Sequence, residues 1–530
     1  MNIIELKLSL ISASPGIISM LKQEGIPFVS EEEVREEKLK KYAWAYLCRV
    51  IDTHEISAIK RYLLEGGVAV FDRLNTGLRS LPGAEYQMQD AGLKVFKLGK
   101  GYLIYIDIFL EKEFLDNKAI RKELSTSAGL VNELLALYPK YRLRNLLRDS
   151  LFLASRLKGL PLVKFWYYPL QYKTVFNLRF DLDEDTGDDL ERSMEVSSPY
   201  KDCTTWFVSC ASFKGNDYKI KDLVKNGFDV QSHGYYHHTY RDKKQNAISL
   251  KRSLEFLSKW INRIDGFAAP KGIWNPGLQE LLEELNFTYG SEFSFDYDNF
   301  PHYPVISGRA SKVLEIPVHP VCWGLFLDAG VSNHEAVTRY FGEVIRKKHE
   351  FSLPVLLYAH PNEGRRRDPA LLRNIYSAVD LLPGVWKTTL SDFAGWWNKR
   401  NAWEFESISY SFLNQSISYR MKDGCDFRDG SILVSTSKER MSLQDIISNR
   451  EISLEKLGYE ESLAVKNEEG MFFGEKAHHL PIIRRIKENL VHYLDWEECT
   501  PAEEIVKDNL IGRIKYSLRK LGFDKVKLPV

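Results

Sequence analysis

Between Lys173 and about Arg400 the chain alternates short apolar runs with stretches of helical periodicity. The runs are TVFNLRFD, TTWFVSC, GFDVQSH, DGFAAP, FTYGSEF, VLEIPVHP, PVLLYAHP and GVWKTTL. Eight such runs, each separated by enough chain for a crossover helix, predict a parallel α/β barrel. Upstream, LKLSLIS is followed by PGIISMLKQEG, IPFVS and the charged stretch EEEVREEKLKKYAWAYLCRVI, again strand alternating with helix. HEISAIKRYLLEGGVAVFD reads as a helix, a Gly-Gly stop and a buried strand, and GKGYLIYIDIFL as a strand after a glycine turn.

Residues 1–125 are therefore expected to form an α/β unit, 126–170 a Leu- and Arg-rich helical connection, and 171–400 the barrel. The alternation in FESISYSFLNQSISYRMKDG, with GSILVST after it, predicts a small β-rich unit over 401–480. Apolar residues at helical spacing among lysines and arginines in NLIGRIKYSLRKLGFDKVKL predict a helical, basic tail over 481–530. That tail is expected to dock on the protein, with peripheral contact to an anionic membrane as the alternative.

A chain of 530 residues exceeds one ordinary core. Its 73 Lys and Arg against 72 Asp and Glu leave no global field to draw in nucleic acid. The six cysteines are scattered without a CxxC pair, which suits a reducing compartment. MNIIELKLSLISASPG lacks a basic segment followed by a long apolar run, and no stretch of ~18 apolar residues occurs, so a cytoplasmic location is expected.

Functional side chains of a parallel α/β barrel gather where strands end, because the following loops converge on one mouth. That criterion selects Asp181 and Asp183 after VFNLRF, His233 and His237 after FDVQ, the Pro270 turn after DGFA, His319 after EIPV, and His360 after VLLYA. His233 and His237 are four apart, a spacing that puts both imidazoles on one side for a shared cation. A carboxylate from another strand would complete a two-histidine, one-carboxylate site with open positions, and Asp183 is the candidate. Asp181, two residues back, shares its face of an extended strand and is placed to act on water beside the cation. His238 points elsewhere on this geometry and is read as a bystander.

RFDLDE resembles the first motif of the NodB-type polysaccharide deacetylases, carbohydrate esterase family 4. SHGYYHH resembles their HxxxH motif, DGFAAPKGIWNP their GFRAPxG motif and LLYAHP their LxHP motif, all in family order. The resemblance implies a deformed barrel with Asp183, His233 and His237 as ligands of a divalent metal, Asp181 as general base and His360 as general acid. Zinc is the first choice, with Co, Ni or Mn as alternatives. The implied reaction hydrolyses the N-acetyl group of an amino sugar in a glycan or glycan precursor, the latter carried on a nucleotide or lipid. Two other readings stand beside it: an amidohydrolase acting on a small non-sugar amide, and a catalytically impaired, metal-stabilised glycan-binding or scaffold protein. The first 125 residues resemble the glutamine-amidotransferase-like, flavodoxin-fold accessory domains of carbohydrate enzymes, in a non-catalytic form, since Cys48 lies inside a helical pattern.

One position departs from the family. Its arginine before Ala-Pro is Ala268 here, so the charge that orients the aspartate must come from elsewhere, with Arg179, Arg309 and Arg365, Arg366 or Arg367 as candidates. Lost catalysis is the alternative. Pro270, Trp274, His319 and Trp323 are the expected substrate contacts, on the ground that sugar rings stack on aromatic faces, set against the plain reading of each as a core residue.

Overall fold

Each of the eight apolar runs supplies one strand of a single parallel sheet: Thr174–Leu182, Thr204–Val208, Asp229–Ser232, Gly266–Phe267, Tyr289–Gly290, Leu314–Glu315, Val355–Ala359 and Val385–Lys387. The computed structural model describes residues 3–90, 92–361, 370–436, 438, 440–447, 451–458, 473–478, 481–482, 486, 495 and 500–521. Thr174–Leu182 is central: its first residues pair with Val385–Lys387 and its last with Thr204–Val208 along one edge, while Val355–Ala359 pairs along the other. At the far end the chain beyond Leu314–Glu315 swings back, and His319 N donates to Leu356 O at 2.9 Å across the gap. The result is a deformed (β/α) barrel.

The central strand is buried along its whole length, and its sequence divides by period two. Phe176, Leu178, Phe180 and Leu182 form the apolar set, with Phe180 stacked on Trp206 of the next strand at 4.3 Å. Asn177, Arg179 and Asp181 form the polar set and cross the interior, Asn177 donating to Thr205 Oγ1 and Thr388 O, Arg179 to Ser291 O. A strand buried on both faces is thereby forced to satisfy its polar side chains internally.

The N-terminal sheet carries its parallel strands in the spatial order Phe28–Glu31, Ile3–Ile11, Tyr42–Leu47, Val68–Phe71, Gly101–Ile106. Counted along the chain this is two, one, three, four, five, the flavodoxin-like order. Leu93–Leu98 and Glu85–Asp90 extend it antiparallel. Its helix Thr53–Leu64 starts at a capping box, in which Asp52 accepts from Glu55 N and Glu55 accepts from Asp52 N.

Two expected units come out differently. The β-rich segment does not stand alone: Phe405–Ser411 pairs antiparallel with Ile3–Ile11, and Ser416–Met421 and Glu451–Ser453 continue the same sheet outward. Ser431–Ser435 pairs instead with Leu162–Phe165 and Met441–Asp445. An isolated hairpin is marginal in water, whereas the N-terminal sheet offers an unpaired edge. The expected helical connection, 126–170, opens instead with the strand Leu130–Ala136, which forms a hairpin with Ala119–Ser125 of the preceding unit, before the helix Lys140–Lys158. Gly474–Ala477 adds a third strand to it.

The N-terminal sheet and the barrel meet at a buried charge network. Glu24 accepts from Lys164 at 2.8 Å and faces Arg144 at 2.7 Å, and Arg144 also binds Asp298 from the barrel. Burial opposes the ionisation of Glu24, but Lys164, Arg144 and Arg148 overcome it and hold the carboxyl well below the usual range. Burial takes Lys164 down to about 7. Gln23 and Ser19 donate to the carbonyls of Phe300 and Tyr303, so one helix of the N-terminal unit is bolted to a barrel loop. The tail helix, Leu510–Lys520, docks by Gly512, Lys515 and Arg519. No described helix is long and apolar enough to cross a membrane.

Candidate metal centre and catalytic cleft

Asp183 follows the central strand by one residue, and His233 follows Asp229–Ser232 directly. The loop after His233 is held open by its backbone. His233 N donates to Val208 O, Gly234 sits at φ +83, and Cys210 N and Ala211 N donate to Gly234 O and Tyr235 O. A side chain at Gly234 would be strained at that φ, so glycine sets the turn that returns His237 toward His233. The second-motif loop is thus a rigid bracket.

Asp183 Oδ1 lies 3.3 Å from His233 Nε2 and 3.1 Å from His237 Nε2. The three candidate ligand atoms fall within 4.8 Å of one another. His233 Nδ1 is 2.7 Å from Ala268 O, so that nitrogen carries the proton and Nε2 presents its lone pair. Asp183 Oδ1 is buried and takes no hydrogen-bond donor of conventional geometry. Two imidazole lone pairs and a carboxylate converging on one point fit a divalent cation.

Asp181 is clamped. Arg179 Nε and Nη2 donate to its two oxygens at 2.7 and 2.6 Å, while Nη1 donates to Ser291 O and Oγ. The guanidinium lies 5.4 Å from the ring centroids of both Phe207 and Tyr358. Arg179 therefore supplies the charge that Ala268 lacks. Arg309 instead binds Glu283 at an exposed position, and Arg365, Arg366 and Arg367 lie outside the described residues. His360 follows Val355–Ala359, with Nε2 3.7 Å from Asp183 Oδ2.

These groups line one cleft of about 540 Å³ together with Arg121, Glu133, Leu134, Lys271 and Asp328. Burial pushes the Glu133 carboxyl up to about 7, against the opposing pull of Leu134 N and Arg121. Lys271 stands at φ +62, a left-handed conformation that turns the third motif at the cleft wall.

Residues 177–290 match the family model of the polysaccharide deacetylases. The matched segment contains Arg179, Asp181, Asp183, His233 and His237, and ends before His360. No curated protein matches the chain. Among solved structures, a Mycobacterium smegmatis protein assigned as a polysaccharide deacetylase is 20% identical, covering 44% of this chain and 93% of its own, with a TM-score of 0.37. A Pseudomonas aeruginosa PAO1 protein of the same assignment is 17% identical, covering 44% and 93%, with a TM-score of 0.39. Puue allantoinase is 16% identical, covering 44% and 92%, with a TM-score of 0.38.

None of the four expected substrate contacts is among the residues that line the cleft. Trp274 stacks on Phe295 at 4.2 Å and its N–H donates to Gln279 Oε1, so ring and donor are both engaged in the core. His319 is buried with Nε2 2.8 Å from Tyr340 Oη. Trp323 is buried edge-on to His334, although its neighbours Cys322 and Gly324 line the cleft. Pro270 is buried, and its carbonyl accepts from Thr239, tying the third motif to the histidine loop. His238 is 3.0 Å from Asp495 and stands outside the cluster of candidate ligands.

Two buried carboxyls went unremarked in the sequence. Glu292 N donates to Glu315 Oε1 at 2.6 Å, and Ala269 N donates to Glu292 Oε1 at 3.1 Å. A Cβ at Gly290 would come within 2.9 Å of an oxygen of each, so glycine there makes room for the pair. Burial raises both carboxyls, most strongly Glu315, where the facing Glu292 adds to the effect. The lone charged residue inside the apolar run VLEIPV was the available signal.

Proposed function

We propose that this protein is a metal-dependent hydrolase that removes the acetyl group from an N-acetylated sugar of a glycan or glycan precursor. The reading rests on one observation above all: an Asp-His-His cluster beside a carboxylate gripped by a buried arginine. Asp183, His233 and His237 would hold the cation, with zinc the first choice for two imidazoles and a carboxylate with open positions. When bound, the cation polarises the amide carbonyl and lowers the pKa of water.

Asp181 takes the proton of the water that adds to the amide carbon, because Arg179 grips both its oxygens and holds it at the cleft. His360 gives a proton to the nitrogen as the C–N bond breaks, so acetate and a free amine leave. Glu133, Arg121 and Lys271 bound the space in which the sugar sits. Cys48, Cys203 and Cys210 are buried free thiols and Cys425 a half-buried one, which suits a reducing compartment such as the cytoplasm and a substrate met as a nucleotide- or lipid-linked intermediate.

A binding-only role drew its support from Ala268. Arg179 removes that support. The deciding experiment is acetate release from a panel of N-acetylated sugars by the metal-loaded protein, with Asp181→Asn beside it. Release from at least one sugar, lost in Asp181→Asn with metal content unchanged, is expected. Release from none, or an active Asp181→Asn, would overturn the reading.

A further inference from the structure

The hairpin formed by Ala119–Ser125 and Leu130–Ala136 is fixed at its root, along an edge and at its tip. At the root, Lys140 Nζ is held by the carbonyls of Phe114 and Asp116. Along the edge it pairs with Gly474–Ala477, whose Glu475 accepts from Lys122 at 3.2 Å and lies 2.7 Å from Arg142. At the tip, Ser127 Oγ donates to Glu343 Oε2 at 2.9 Å, on the barrel helix His334–Glu350. A strip anchored in this way from the N-terminal sheet to a barrel helix passes the barrel mouth, and Arg121, Glu133 and Leu134 line the cleft that holds Asp181, Asp183 and His360. The helix Trp323–Asp328 touches the hairpin and adds Leu325, Leu327 and Asp328 to the same lining.

An internal unit of a polysaccharide can reach a reacting centre only along a groove open on both sides, since the chain must enter and leave. A terminal unit needs one opening. The cleft here, about 540 Å³, falls within the range of sites that enclose a small ligand.

We propose that the hairpin and the helix Trp323–Asp328 wall off one side of the cleft, so that the site takes a chain end or a sugar of one or two units and rejects internal units, with Arg121 and Glu133 as its specificity-determining contacts. The inference rests on the N-acetyl-sugar reading above. Arg121 offers a planar fork of donors and Glu133 a carboxyl, the pairing that sugar hydroxyls require. Both belong to the hairpin, outside the segment that matches the deacetylase family.

The test uses the metal-loaded full chain and the β-1,4-linked N-acetylglucosamine series from one to six units. Binding is measured by calorimetry on Asp181→Asn, and acetate release and its position by mass spectrometry on the unaltered protein. Affinity and kcat/KM that stop rising at two units, with deacetylation at a chain terminus, are expected. A further rise of tenfold or more toward six units, or internal deacetylation, overturns the wall but leaves the hydrolase standing. A length plateau in binding without acetate release keeps the wall and sinks the hydrolase. Neither binding nor release sinks both. Arg121→Met and Glu133→Gln should each raise KM for the two-unit sugar about tenfold, with kcat and metal content little changed, as expected for a lost contact to substrate. An unchanged KM in both variants overturns their specificity role.

Discussion

Both carboxylate oxygens of Asp181 accept hydrogen bonds from Arg179, which precedes it by two residues on the same strand, at 2.7 and 2.6 Å. The period of the strand makes this pairing available without any residue from the third motif. Replacing Arg179 by Ala leaves a buried carboxylate without its countercharge and without the two donors that fix its oxygens, which disarms a base. Acetate release should fall about 10²- to 10⁴-fold in Arg179→Ala. Arg179→Lys, a point charge in place of a fork, should recover only part of it. Metal content measured on the same preparations should stay at the level of the unaltered protein; a full rate in Arg179→Ala would refute the assignment.

Metal binding should stabilise the fold by mass action, since the cluster of Asp183, His233 and His237 exists only in the folded chain. At a free metal concentration a hundredfold above Kd the gain is about 2.7 kcal/mol. Chelation should lower Tm and re-addition of zinc restore it. His233→Ala and His237→Ala should abolish this response, while His238→Ala retains it. Loss of the response in His238→Ala would show the wrong pair has been chosen.

The C-terminal segment grips the histidine loop from outside. Asp495 binds His238, Thr500 binds Tyr240, and Glu504 binds Tyr236 and Arg252. Asp495→Ala combined with Glu504→Ala should weaken metal affinity about 10- to 100-fold by loosening the bracket that aims His233 and His237. Competition with a chromophoric chelator measures this. At saturating metal the acetate-release rate should recover, which separates positioning from chemistry.

Stability should fall on mild acidification. Burial, reinforced by the charges of Lys140 and Arg144, lowers His302 from 6.5 to about 3, and burial also drives His319 well below its ordinary value. The folded protein keeps both imidazoles neutral while the unfolded chain takes up protons below about 6.5. Stability is therefore fully present above 6.5 and lost as the pH falls toward 3. For His302 alone the loss by pH 5 is about 2 kcal/mol. Denaturant midpoints at pH 7 and pH 5 should differ by that much less in His302→Phe than in the unaltered protein.

The barrel was legible because its chemistry sits at strand ends: an apolar run followed by Asp or His repeats at Asp183, His233 and His360, and period two places Arg179 and Asp181 on one face. Leu130–Ala136 was not legible as a strand. Val131, Leu134 and Leu135 satisfy a helical spacing as well as an extended one, and the decision is made by Ala119–Ser125, a partner the local sequence does not contain. Trp274 illustrates a second limit. Its position beside a catalytic motif says that an indole is near the site, but its contacts with Phe295 and Gln279, set by tertiary packing, decide which way it faces. Arg121 and Glu133 carry no motif at all; only the crossing of the hairpin brings them to the cleft.

The pairing of Ile3–Ile11 with Phe405–Ser411 has a consequence for biosynthesis. One edge of the first sheet to leave the ribosome stays incomplete until some four hundred further residues have been made, which at about 5 to 20 residues per second takes roughly 20 to 80 s. During that interval the backbone groups at the start of Ile3–Ile11 are an open template for another chain. Early-made and late-made strands are thus stitched together, and a nascent protein halted within the barrel would carry a sticky edge that only Phe405–Ser411 can cover.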